Sequence, residues 1–255
     1  MALRQFISTL GRFPVLGSLL RKFAARYPEG SVVTIRSGLC KGLRWKRHHR
    51  YVNGYWVGIA ESRVQDQLGS MLNPGDVFYD IGANAGFFTL AAAKIVGPEG
   101  RVVSFDPLPE NAQSITEQLE LNDFSSRASV REEAVGEACG KSTFVFEKEG
   151  DSTARLGETS DRHSNSLEVQ VTTLDSLLEH EPPPQLIKMD VEGGEVGAFK
   201  GALKLLKEHK PTIILEVHSQ PIAKELRPLV ADFYEWKDVE APSENHPWHV
   251  LLEKK

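Results

Sequence analysis

From residue 77 onward the chain alternates two apolar rhythms. In 77–81, 101–105, 186–191 and 212–217 nearly every residue is apolar, as in strands covered on both faces. Between them, 88–95, 111–121 and 195–208 space their apolar residues three and four apart, as helices do. Strand and helix in turn predict a right-handed parallel βαβ core, an α/β fold with a doubly wound, mostly parallel sheet. Residues 130–135 extend the strand series, 142–147 and 167–172 predict a strand pair around a polar loop from 150 to 165, and 248–252 predicts a final antiparallel strand. Upstream, 32–35 and 43–45 read as short strands joined by glycine turns, and 61–72 as a helix closed by Asn73-Pro74-Gly75-Asp76. Leu3, Phe6, Ile7 and Leu10, then Leu16, Leu19, Leu20 and Phe23 beyond a break at Gly11 to Pro14, predict two short basic amphipathic helices.

A chain of 255 residues has room for one large core plus an extension, since single cores grow to roughly 250–300 residues. We divide it into a basic N-terminal extension, 1–54, and a main α/β domain, 55–255. With 40% hydrophobic and 25% charged residues it has a globular composition, and no apolar run approaches the ~18 residues that span a bilayer. Arg12 and Pro14 interrupt the stretch a secretory signal would need. Cys40 and Cys139 lie outside any zinc or redox spacing, so a reduced, cytoplasmic protein is expected.

The net charge of -5 conceals an asymmetry. Residues 1–50 carry eleven Lys/Arg against one acid, Glu29, a net +10, which leaves -15 on residues 51–255. Such a body is no general binder of nucleic acid, whose phosphates need clustered Lys/Arg. The run Arg44, Lys46, Arg47, His48, His49 and Arg50 beside Tyr51, Tyr55 and Trp56 has three readings: a solvated surface strand, a lid selecting an anionic or glycan acceptor, or a contact with an anionic membrane.

The most informative chemistry lies at the strand ends. Asp80-Ile81-Gly82-Ala83-Asn84-Ala85-Gly86 falls where a strand turns into a helix, and glycine there lets a ligand approach the backbone. Asp106 ends the next strand, about 20 residues on, where a carboxylate can accept the hydroxyls of a ribose. A nicotinamide enzyme shares this layout, so an NAD(P)-dependent oxidoreductase is the first alternative. Its G-x-G-x-x-G fingerprint laid on Gly82 needs glycine at 84 and 87, and finds Asn84 and Phe87. A cofactor without a pyrophosphate, such as S-adenosylmethionine, does not need them. A second alternative is a binding module that keeps the pocket without turnover.

Four motifs in order, Asp80-x-Gly-Ala-Asn-x-Gly86, Phe105-Asp106-Pro107-x-Pro109-Glu110-Asn111, Thr173-Leu174-Asp175 and Ile187-Lys188-Met189-Asp190-Val191-Glu192-Gly193, resemble the FkbM-type methyltransferases over residues 55–218. The resemblance implies a class I methyltransferase fold, S-adenosylmethionine as donor and, commonly, a hydroxyl acceptor on a sugar, glycan, polyketide or related metabolite. It also implies that Asp80, Gly82, Asn84 and Gly86 line the methionine end of the cofactor, that Asp106 holds its ribose, and that Glu133 or Ala134 borders its adenine.

Read without the family, Asp80, Asp106, Asp190 and Glu216 each end an apolar strand, so one edge of the sheet carries an electronegative cleft suited to a cationic sulfonium. Asp80 or Asp106 could instead cap the following helix. If extended backbone persists through the motif, Lys188, Asp190 and Glu192 share a face, and Glu216 and His218 share one on the adjacent strand. We therefore expect Asp190 as general base, Glu192 or His218 orienting the acceptor or substituting for it, and Lys188 steadying the carboxylates. The alternative for Asp190 is to hold the cofactor's ammonium; for Glu216 and His218 it is a buried pair with each other or with Lys188. Asp190 with Glu192 alone is a weak metal signal, and no metal is assigned.

Overall fold

The computed structural model describes residues 27–52, 54–146, 155–156, 165–244 and 246–255. The two helices expected before residue 24, and most of the polar loop expected at 150–165, fall outside them. A hairpin of β1 (Val32–Thr34) and β2 (Arg44–Lys46) leads through a short helix α1 (Gly54–Val57) to α2 (Ser62–Met71). Then come β3 (Val77–Ile81), α3 (Phe87–Val96), β4 (Arg101–Phe105), α4 (Pro109–Leu121), β5 (Ala128–Arg131) and β6 (Glu133–Val135). The second half runs β7 (Gly140–Phe146), β8 (Arg155–Leu156), β9 (Asn165–Thr172), α5 (Leu174–Leu177), β10 (Leu186–Met189), α6 (Glu195–Lys200), α7 (Leu203–Glu208), β11 (Thr212–Val217), α8 (Gln220–Val230), β12 (Tyr234–Asp238) and β13 (Trp248–Lys254).

Seven strands form the main sheet in the order β12-β13-β11-β10-β3-β4-β5, parallel from β11 to β5, with β13 antiparallel to both its neighbours. The chain winds outward from β3 in one direction and from β10 in the other. The switch point where open α/β sheets take ligands therefore lies between them. A second sheet, β6-β9-β7-β8, stands beside it.

Helix α3 is buried almost all round, as a helix without a polar face must be. One side lies on the sheet, and the other is roofed by the N-terminal hairpin. Trp45 and Tyr55 meet Phe87 at ring-centroid distances of 6.2 and 5.5 Å, and Ile35, Cys40 and Trp45 share one core with Phe78 and Leu90. The basic run is stitched into this roof: Lys46 pairs with Glu117, His48 lies between Glu29 and Glu117, and Arg47 sits 4.8 Å from the Trp56 ring. It is an internal set of ion pairs more than a free cationic face.

Three expectations need correction. Residues 130–135 are not one strand: the chain leaves the main sheet at Glu132, and β6 pairs with β9 in the second sheet. The helix over 195–208 is two, because Asp175 interrupts its ladder: the Asp175 amide donates to the Gly201 carbonyl, and its carboxylate accepts from the Lys204 and Leu205 amides that would otherwise continue the first helix. Extended backbone also stops at Met189, and Glu192 is left-handed with φ 49°. The unanticipated α8 follows Ser219, whose hydroxyl accepts from the Ile222 amide, with proline in the first turn.

Candidate active site

A cavity of about 590 Å³ opens at the switch point. Its walls include Gly82 and Asn84 from the turn after β3, Asp106 and Leu108 after β4, and Glu133 and Ala134 of β6. Asp190 and Glu192 after β10, Glu216 of β11, and Arg50 and Glu61 of the roof also line it. Asp80 and Gly86 lie behind it. Asp80 is fully buried and accepts a 2.6 Å hydrogen bond from Thr89 Oγ1, while Gly86 caps α3 and packs on Ile115. Burial raises the Asp80 carboxyl, against the pull of Lys188.

Asp106 is 5% exposed. Its Oδ1 accepts from the Leu108 amide at 3.1 Å and from Asn111 Nδ2 at 3.0 Å, and its Oδ2 from the Asn84 amide at 2.8 Å. The first of these braces the entry to α4, so Asp106 does part of the work of a cap. It still faces the cavity. Burial pushes its carboxyl up to about 7, although the three donors oppose that. Tyr51 donates to Asn111 at 2.6 Å, so the roof reaches Asp106 through one intermediate side chain.

The other end of the cavity holds the acids and their cations. Lys188, beside Asp80 in the strand register, sends its buried ammonium 3.2 Å from Asp190 Oδ2 and 3.5 Å from the Gly82 carbonyl. His218 Nε2 is 3.0 Å from Glu192 Oε2 and 3.7 Å from Asp190 Oδ1, and its Nδ1 is bonded to the fully buried Glu195. Lys188, Asp190, Glu192 and His218 thus converge even though the backbone is not extended beyond Met189, because the left-handed turn at Glu192 folds its side chain back. His218 bonds to Glu192 and Glu195 instead of Glu216, which faces Asp190.

These contacts set the charges. Burial would raise Asp190, but Lys188 and then His218 outweigh it and hold the carboxyl below its usual range. Burial would lower His218, but the bonds to Glu192 and Glu195 push it up to about 10, so it is a cation at neutral pH. Glu216, half-buried and facing Asp190, is pushed up to about 8 by desolvation and by that neighbouring carboxylate. Ligand atoms of Asp190, Glu192 and His218 all lie within 4.8 Å of one another, as a divalent ion would require. Such an ion would take the place of the Nε2 proton that His218 shares with Glu192, while Nδ1 stays bonded to Glu195.

Two members of this constellation, Glu195 and Glu61, went unread in the sequence. Glu195 opens α6 three residues after Glu192, where an acid suits a helix start. Glu61 stands in no motif.

The profile of the methyltransferase FkbM domain matches residues 80–241. The hexuronic acid methyltransferase AglP of Haloferax volcanii is 26% identical over 159 residues, 62% of this chain and 62% of AglP. The chain therefore spans less than two thirds of that relative. Among solved structures, an FkbM methyltransferase from Methylobacillus flagellatus superposes with a TM-score of 0.52 at 18% identity, over 80% of this chain and 56% of that one. At that identity the likeness speaks for the fold, a class I methyltransferase sheet.

Proposed function

We propose, from the premise that this chain belongs to the FkbM methyltransferase family, that it methylates a hydroxyl group of a sugar or related acceptor. S-adenosylmethionine is the donor of this family. The observation that carries the reading is the pairing of Asp190 with the cations Lys188 and His218 at one end of a cavity whose other end presents Asp106.

The residues suit that cofactor. Asp106 offers a buried carboxylate to hydroxyls, Gly82 and Asn84 lie beside it, and Glu133 and Ala134 form the adjoining wall toward which a base would extend. Where a dinucleotide fold needs glycine, Phe87 is packed under Tyr55, which disfavours NAD. When bound, S-adenosylmethionine supplies a methyl group whose bond to sulfur breaks as a bond to the acceptor oxygen forms.

The protein's own part is to orient the acceptor and take its proton. The oxygen gains positive charge as it bonds to carbon, so its proton becomes far more acidic than a carboxylic acid, and even a carboxylate of lowered pKa accepts it. Asp190 needs to be ionised and aimed, and Lys188 and His218 provide for both. Glu192 is left to hold a second acceptor hydroxyl. A hexuronic acid is the first acceptor to test, since that is what AglP is named for.

Incubation with S-adenosylmethionine and uronic-acid glycosides should yield S-adenosylhomocysteine and a methylated sugar by mass spectrometry. Calorimetry showing tight NAD binding and no response to either sulfur compound would overturn the cofactor reading. Cofactor affinity should also depend on pH. The Asp106 carboxyl titrates near 7 and bound hydroxyls favour its ionised form, so affinity is full above that pH and lost below it. Methylthioadenosine, which carries the ribose and no ammonium, should bind roughly tenfold more weakly at pH 6 than at pH 8. A flat profile would remove Asp106 from the ribose.

A further inference from the structure

Glu61 is the cavity acid left without a role. It precedes α2 in a left-handed conformation, φ 42°, which a glutamate adopts only against backbone strain. It lines the cavity, and its Oε2 is buried with no hydrogen-bond partner. Lys188, Asp190, Asp80, His249, Glu216 and Tyr55 all lie within electrostatic reach of it. Asp190 already has Lys188 at 3.2 Å and His218 at 3.7 Å. Among the described residues, neither Glu61 nor Glu216 has an ion pair within 4.0 Å. An incoming ammonium at Asp190 would meet two like charges, whereas at Glu61 it meets carboxyls in excess of cations.

The sheet order locates this excess. Glu61 lies within electrostatic reach of Lys188 and Asp190 at the β10 end and of Glu216 in β11, and Asp106 follows β4 on the far side of β3. A cofactor with its ribose at Asp106 and its amino-acid arm across the switch point brings that arm to Glu61. Resting on the S-adenosylmethionine reading above, we propose that Glu61, with Glu216 beside it, receives the ammonium of the bound cofactor, which leaves Asp190 free for the acceptor.

Burial and facing acids raise both carboxyls, Glu216 to about 8, so a cation arriving between them expels a proton. Lys188, His218 and His249 oppose that rise, and Asp190 and Asp80 support it.

The test is calorimetry of wild type and E61Q with S-adenosylhomocysteine, run in two buffers of different ionisation heat, and with methylthioadenosine, which lacks the amino-acid arm. E61Q should bind S-adenosylhomocysteine roughly 10- to 100-fold more weakly, release less proton on binding, and bind methylthioadenosine as wild type does. Undiminished S-adenosylhomocysteine affinity in E61Q would overturn this assignment alone, as would an equal loss for both ligands, which marks a packing role. Wild type that binds neither ligand would overturn the cofactor reading with it. If E61Q fails to fold, E216Q carries the same comparison, with the same selective loss expected and the same two results against it.

Discussion

Asp190→Asn is expected to lower kcat by about 10²–10⁴-fold while S-adenosylhomocysteine affinity stays within a few-fold of wild type. The range is that of removing a positioned general base. Asparagine keeps the shape and can still accept from Lys188 or His218, so the cations lose less than they would beside alanine. It cannot take a proton from the acceptor. Turnover followed as S-adenosylhomocysteine release, with affinity from calorimetry, separates the two possible roles of Asp190. A large loss of affinity with little change in kcat would mean that Asp190 holds the ammonium, and would argue against Glu61 at the same time. Near-wild-type values for both would remove Asp190 from the site.

Gly82→Ala should damage the protein at the level of the fold. Gly82 has φ 76°, and a Cβ built on it would lie 1.7 Å from the Asp190 carbonyl oxygen, a backbone atom that no rotamer change can move. Its amide donates to the Phe105 carbonyl at 3.0 Å, so the residue is wedged between the ends of β4 and β10. Overpacking at about 1–3 kcal/mol and left-handed strain at about 1–2 kcal/mol together predict a loss of roughly 2–5 kcal/mol, read from the urea midpoint. Whatever folds has Asp190 displaced, and a misplacement near 1 Å costs on the order of 10²-fold in rate. Gly193→Ala is the control, since nothing lies within 4 Å of its Cβ and only its φ of 102° is strained. Equal midpoints for Gly82→Ala and wild type would mean that β10 yields freely.

The sequence was most legible where structure is local. The bounds of β3, β4 and β11 follow from apolar runs ended by turn residues, and the convergence of Lys188, Asp190, Glu192 and His218 from their positions at two strand ends. Strand parity was nevertheless the wrong reason for Glu192, which arrives by a left-handed turn. What escaped depends on distant partners. Nothing around Glu132 tells that the next three residues find β9 instead of β4, and the helix breaks after Lys200 because Asp175, distant in sequence, takes the hydrogen bonds of Gly201 and Leu205. Asp80 matched its motif, but its side chain turns to Thr89, a pairing no spacing rule gives. Glu61 became visible only when the turn before α2 delivered it to the lining of a cavity built by other elements.

The place of β13 in the sheet bears on how the molecule assembles. Among the described residues, β12 has β13 as its sole neighbour in the main sheet, and β13 lies between β12 and β11. Residues 234–238 thus have no ladder to join until 248–254 are present, and β13 gains its second ladder only against a formed β11. The pair closes through a short connection, a fast and local event, while its docking on β11 spans α8 and is slower. Native-state exchange would then report the two strands as one unit, joining the sheet after the parallel core and opening from it together.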